Sequence, residues 1–272
     1  MANLKEIRNR ISSVNSTMKI TSAMKMVSAA KLKKAQDAIT AMRPYSEKLT
    51  DLMSNFSDII SSSSISYLSE TRDVKNVLVV SICSNKGLCG AFNSNVIKQS
   101  LSLKNKEEYN GANFSYLTIG KKANDILSKT ENIISNHSNV YDNLVYDEVA
   151  NVSEKIVEEF NLGNFDKVLI VFNSFKNAAN QIVKTEQFLP IESMDETNKT
   201  GDYIFEPSME QIVSELVPKS LKIQLFKAIR DSFAGEHGAR MTAMHKATDN
   251  ATELRDEIKL TYNKARQAAI TN

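Results

Sequence analysis

The stretch Cys83-Ser-Asn-Lys-Gly-Leu-Cys-Gly-Ala-Phe-Asn93 gathers thiols, glycines and a lysine between an apolar run and a helical pattern. A loop between strand and helix is where α/β proteins hold phosphate, because a helix N-terminus presents free backbone N–H groups. Gly87 and Gly90 nevertheless lack a third glycine at dinucleotide-binding spacing. No Gly-Lys-Ser/Thr ending follows to put lysine on phosphates and a hydroxyl on magnesium. A tight turn that requires glycine is the simpler reading. Cys89 has no neighbouring histidine to serve as a base, and five residues separate it from Cys83, which suits neither CxxC redox chemistry nor a four-ligand zinc site.

The remaining candidates for chemistry are few. His137, His237 and His245 are the chain's three histidines, little material for catalysis or metal binding. Glu107-Glu108 and Glu158-Glu159 are adjacent, so each pair points in different directions and makes no acid/base couple. Lys31, Lys33 and Lys34 are basic enough for nucleic acid, but no aromatic lies among them to stack a base. No catalytic residue, metal or cofactor is expected, and an acidic protein partner or a solvated helix face suits the lysines better.

Charge is unevenly distributed. Residues 1–50 carry ten Lys/Arg against three Asp/Glu, residues 51–206 fourteen against twenty-one, and residues 207–272 ten against eight. Basic ends flank an acidic middle, within a net charge of only +2. No apolar run reaches the eighteen or so residues of a membrane span, and the N-terminus has no secretory signal pattern, which predicts a cytosolic and most simply prokaryotic protein.

The elements that position these residues fall into two kinds. At the N-terminus Leu4, Ile7, Ile11, Val14 and Met18 step by threes and fours; Leu32, Ala35, Ile39 and Met42 resume the steps after a break in phase near 19–31. This predicts a helix from about residue 4 to about 58, with Pro44 inside it. At the C-terminus Met241, Met244, Thr248, Ala251, Leu254, Ile258, Tyr262, Ala265 and Ala269 repeat the pattern. That helix is expected to start near Pro207-Ser208 and to be interrupted at Gly235 and Gly238. Each seam is covered only if the two helices lie side by side, as an antiparallel coiled coil.

Between them the period changes. Residues 76–82, 114–119 and 167–172 are β-branched apolar runs of the kind buried in parallel sheets, separated by helical patterns at 91–103, 120–129 and 147–161. Residues 181–188 alternate and predict an antiparallel edge strand, while 61–69 and 192–202 read as a connector and a surface loop. The fold class is therefore α/β, a Rossmann-like central domain at 73–206 carrying a coiled coil built from 1–60 and 207–272. A basic coiled coil with a small, Met-rich exposed face suits contact with other proteins. A free-standing nucleotide-binding enzyme using the Gly87 to Gly90 turn, and a nucleic-acid adaptor, are the alternatives.

Several ordered motifs carry a resemblance: Lys5-Glu-Ile-Arg-Asn-Arg-Ile11, Lys19-Ile-Thr-Ser-Ala-Met-Lys-Met-Val27, Gly87-Leu-Cys-Gly-Ala-Phe-Asn93, Asp202-Tyr-Ile-Phe-Glu-Pro207, Glu236-His-Gly-Ala-Arg-Met-Thr-Ala-Met244, Ala247-Thr-Asp-Asn-Ala251 and Tyr262-Asn-Lys-Ala-Arg-Gln-Ala-Ala-Ile-Thr271. Together they resemble the gamma subunit of the bacterial rotary ATP synthase over almost the whole chain. The resemblance implies a non-catalytic rotor shaft whose partners are three alpha and three beta subunits, the epsilon subunit and the membrane ring of c subunits. It implies a peripheral location on the cytoplasmic face of the bacterial plasma membrane, reached indirectly through that ring.

By the same resemblance Lys19, Met24, Lys25, Lys31, Lys33, Lys34, Glu236, Arg240, Met241 and Met244 would face the beta subunits. Tyr203 and Glu206 would face the c ring and epsilon. The sequence departs from the family pattern at Asn85, Lys86 and Ala91, where Asp, Arg and Gly are usual, and it ends at Asn272 where relatives continue with an apolar tail.

Overall fold

The computed structural model describes residues 4–55, 65–70, 72–178, 180–191, 206 and 208–271. Five strands, β1 (Asn76–Ile82), β2 (Asn113–Ile119), β3 (Asn132–Asn136), β4 (Lys167–Phe175) and β5 (Gln181–Leu189), form one sheet in the order β3-β2-β1-β4-β5. β1 pairs in parallel with β2 and β4, β2 in parallel with β3, and β5 runs antiparallel on the β4 edge. The expected strands and the antiparallel edge are all present. β3, Asn-Ile-Ile-Ser-Asn, is additional; its alternating half-exposed pattern on a sheet edge gives too short an apolar signal to stand out in sequence.

α2 (Phe92–Ser102) and α3 (Lys121–Leu127) cover one face of the sheet. There Val96, Ile97, Ala123 and Leu127 close over Val77, Val79, Leu169 and Val171. The other face takes α4 (Tyr146–Asn161) and the first half of α5 (Met209–Thr271). Val149, Val152, Ile156 and Phe160 of α4 and Val213, Val217, Leu221 and Leu225 of α5 share one core with Leu78, Val80, Ile82 and Ile170. The sheet is thus buried on both sides, which is why its central strands read as unbroken apolar runs.

α1 (Leu4–Asn55) is 52 residues long and α5 is 63. Helix passes through Pro44 in α1 and through Pro218 in α5. Ser208 starts α5 as expected, its Oγ accepting the Gln211 amide at 3.3 Å. The helices pair antiparallel: Arg8 meets Tyr262, Met18 meets Thr252, Thr21 meets Thr248 and Lys25 meets His245.

Three expectations about these helices need correction. The break in phase near 19–31 does not exist: Ile7, Ile11, Val14, Met18, Thr21, Lys25, Ser28, Leu32, Ala35, Ile39, Met42, Ser46 and Leu49 form one seam of buried and half-buried positions at steps of four and three. Polar residues hold it where apolar ones lapse. Buried Thr21 is satisfied by Met18 O at 3.1 Å and by the Thr248 hydroxyl at 2.8 Å, so it sits in the seam without an orphaned group. An unbroken seven-residue repeat favours a left-handed supercoil.

On α5 the seam position falls on Arg255, whose Nη1 lies 3.6 Å from Met18 Sδ, and Leu254 is exposed. The long stem of arginine covers the seam while its head reaches Asp256. Gly235 and Gly238, finally, do not interrupt α5. A Cβ at Gly235 would lie 3.2 Å from the Phe92 ring, and one at Gly238 would lie 3.2 Å from the Ala178 backbone. Glycine there lets the helix approach the domain closely, at a cost in propensity of about 1 kcal/mol each.

The connector 66–69 contains a short 3-10 turn at Ser66–Leu68. Residues 61–64, 192–202, Tyr203 and Pro207 lie outside the described residues.

Candidate functional site

The β1–α2 loop is a built turn. Asn93, one residue into α2, fills its centre: Oδ1 accepts the Ser84 amide at 2.9 Å while Nδ2 donates to Ser84 Oγ at 2.9 Å and to Cys89 Sγ at 3.3 Å. The Ser84 hydroxyl donates to Lys86 O at 2.6 Å. Asn85 ties the loop outward, donating to Ser138 O and accepting the Lys121 amide, both at 2.9 Å. An aspartate at this position could accept but not donate, so the departure at Asn85 adds a bond. Left-handed backbone falls at Leu88 (φ 60°) and Gly90 (φ 61°), not at Gly87. Both thiols are buried, and burial pushes their pKa up, which makes them poor nucleophiles.

α5 closes over this loop. The Arg240 guanidinium donates from Nη2 to Lys86 O at 3.1 Å and Gly87 O at 3.2 Å, and from Nε to Gly87 O at 3.3 Å. The same Nη2 meets Glu236 Oε1 at 2.7 Å, with side chains only 8% and 7% exposed. His237 Nδ1 lies 3.3 Å from Arg240 Nη1, and its ring stands edge-on to Phe233. Lys31 from α1 and Lys86 from the loop also act on Glu236, whose carboxyl is raised by burial against their pull and that of Arg240.

Burial, and then the cations Arg240 and Lys31, hold the His237 imidazole down at about 4 from an ordinary 6.5. The unfolded chain therefore binds this proton more readily, so the stability is whole above pH 6.5 and is lost as pH falls toward 4. Glu236, with its raised carboxyl, works in the opposite sense at the acid end and offsets part of the loss. His237→Gln should flatten the fall of melting temperature across that window. An unchanged profile would show that His237 does not titrate as its surroundings require.

The residues that the resemblance assigned to the beta subunits do not share one surface. Lys19, Lys31, Lys33 and Lys34 are exposed on α1; Met24, Lys25 and Met241 are half-buried. Glu236, Arg240 and Met244 are buried in the chain itself; the first two are bonded to each other, and Arg240 is also bonded to the loop. Glu206 is exposed, while Tyr203 lies outside the described residues. Beside the lysines, Ile20, Met26 and Val27 are 60%, 64% and 57% exposed, an apolar strip on α1 that α5 leaves uncovered.

A sequence model of the ATP synthase family matches residues 3–272. The chain is 63% identical over 275 residues to the ATP synthase gamma chain of Flavobacterium psychrophilum, covering 100% of this chain and 95% of that one. The chain belongs to the ATP synthase gamma chain family. Among solved structures, the central stalk and c-ring structure of the Tetrahymena thermophila mitochondrial ATP synthase contains a chain 25% identical to this one, with a TM-score of 0.59, covering 84% of this chain and 99% of its own. The rotor of the Euglena gracilis mitochondrial ATP synthase supplies another at 20% identity, with a TM-score of 0.68 over 98% of both chains, a likeness of fold.

Within this gamma chain, the bonding of Arg240 to the loop and to Glu236 was not legible in sequence. Asn93 closes the loop motif in sequence without showing its central place in the turn, and Asn173, whose Nδ2 donates to Phe92 O at 3.1 Å, gave no signal. The one sequence signal that could have found the Arg240 bonds is an acid and a base at i and i+4 beside two helix glycines, a pattern of close packing. Among the described residues no helix is long and apolar enough to cross a membrane, and no group of three or more potential metal ligands occurs.

Proposed function

We propose that this gamma chain is the central rotor shaft of a proton-translocating ATP synthase and has no catalytic site of its own. Its α/β domain rides on the ring of c subunits with the epsilon subunit, Tyr203 and Glu206 on that side. Its paired helices stand inside a ring of three alpha and three beta subunits, at the cytoplasmic face of the bacterial plasma membrane. Proton flow turns the ring and the shaft; the beta subunits change state as the shaft passes.

The supporting observation is the uncovered strip of α1, Ile20, Met26 and Val27, bordered by Lys19 and followed by Lys31, Lys33 and Lys34. Such a face needs a partner with apolar contacts and acidic groups. It also makes the shaft lopsided, basic on the α1 side and mixed in charge on α5. A rotor angle can shift a catalytic site only by interacting differently with its conformations, and a symmetric rod would not.

Met24, half-buried beside this strip, is the test position. Met24→Lys adds a cation next to the beta contact and should lower protons pumped per ATP hydrolysed more than it lowers assembly of the complex. Pumping per ATP equal to wild type would remove Met24 from the contact. The alternative of a nucleotide-binding enzyme predicts that millimolar ATP raises the melting temperature of the chain alone.

A further inference from the structure

Glu236 and Arg240 sit one turn apart on α5, where the helix leaves the sheet. Up to Ile229 the helix contributes to the domain core. From Thr248 onward its cross-chain hydrogen bonds run to α1, through Thr21, Met18 and Arg8. The helix from Arg240 to Thr271 spans about 46 Å at 1.5 Å per residue. Tilt at the root of such a rod is amplified: each degree moves the far end by about 0.8 Å over that length. Whatever holds the root sets how faithfully the far end reports the angle of the domain.

At that root the guanidinium fork is engaged on both sides, by the carboxylate of Glu236 on the helix and by two successive carbonyls, Lys86 O and Gly87 O, of the domain loop. The loop is itself pinned by Asn93, Ser84 and Asn85. Gly235 and Gly238 bring the helix backbone against Phe92 and Ala178 at the same height. A planar fork with several bonds fixes direction as well as distance, which a lysine ammonium does not.

We propose that Glu236, Arg240 and the Lys86–Gly87 carbonyls form a root clamp, in which Arg240 is a positioning residue that fixes the angle at which the shaft leaves its domain. This rests on the rotor reading, and it gives Arg240 an internal role in place of a contact with beta. Torque applied to the domain then turns the far end of the shaft instead of being lost as play at the base.

The test uses the whole complex reconstituted in vesicles, with ATP hydrolysis, proton pumping and subunit content measured together. Arg240→Lys keeps the charge and loses the fork, and should lower protons pumped per ATP by about twofold or more at normal subunit content. The second variant joins Gly87→Cys to Arg240→Cys. An added Cβ at Gly87 meets nothing within 4 Å, and Cys83 and Cys89 are buried, so a short bismaleimide can bridge the new pair. The bridge should restore pumping per ATP toward wild type.

Wild-type coupling in Arg240→Lys would overturn the clamp. A coupling loss that the bridge leaves unrepaired would also overturn it, since Arg240 would then act through its charge elsewhere. Wild-type vesicles that hydrolyse ATP without pumping protons would sink the rotor reading itself, and the clamp with it.

Discussion

Gly120→Ala should unfold or severely destabilise the chain, by about 2 to 6 kcal/mol. Two independent costs add. Gly120 has φ +110°, a backbone region in which a residue with a Cβ is strained by about 1 to 3 kcal/mol. The added Cβ would lie 2.0 Å from Cys83 O and 2.7 Å from Cys83 C, and because these are backbone atoms at the end of β1 no side chain can swing away. Overpacking of this kind costs a further ~1 to 3 kcal/mol. The sum is a large share of the ~5 to 15 kcal/mol that holds a domain together. Gly87→Ala is the control: its Cβ meets nothing within 4 Å and its φ is not positive, so it should be close to neutral. Thermal melts followed by circular dichroism separate the two, and equal melting temperatures would contradict the close approach of β1 and the β2–α3 junction.

Glu236→Ala carries the second largest effect. It leaves the Arg240 guanidinium buried with carbonyl partners but no counter-charge, and removing one member of a buried ion pair costs about 3 to 5 kcal/mol. The Glu236→Ala/Arg240→Ala double variant should be more stable than the sum of the single losses, because it buries no lone charge. Urea denaturation of the four proteins closes the cycle. Additive losses would mean that the pair, 2.7 Å apart, carries no coupling. Stability and coupling are distinct here: the alanine variants probe the energy of the pair, whereas Arg240→Lys in vesicles probes the angle it sets.

The sheet and its helices were legible because both burial periods are written in side chains. β1 and β4 are buried on both faces, as is β2 from Tyr116 on, and all three read as apolar runs; α4 shows its core face through Val149, Val152, Ile156 and Phe160. The coiled coil was legible in kind but not in phase. Thr21, Lys25 and Ser28 keep the geometric repeat with polar groups, and a pattern of apolar residues alone cannot see a threonine satisfied by its partner across the seam. Apolar steps select Leu254 where Arg255 holds the seam, for the same reason: a charged head on a stem that packs. Propensity, a local quantity, marks Gly235 and Gly238 as weak points, whereas their purpose, contact with Phe92 and Ala178, is tertiary.

The candidate surface divides similarly. Exposed Lys19, Lys31, Lys33 and Lys34 could be read from charge along one helix. The burial of Glu236, Arg240 and Met244 depends on where the β1–α2 loop and α1 meet α5, information that lies some 150 residues away in sequence, as the Arg240 to Lys86 bond illustrates. The motifs identify the family; Glu236 and Arg240, which the resemblance sets toward beta, are bonded to each other inside this chain, and Arg240 also to the loop.

Rotation itself is the most direct measurement. A bead attached through a cysteine at exposed Glu107, with the alpha and beta subunits of the assembled complex fixed to glass, reports the angle of the domain while ATP is hydrolysed. The rotor account predicts continued turning in one direction that stops when ATP is withdrawn. A bead that stays at one angle while the same complexes hydrolyse ATP would contradict it.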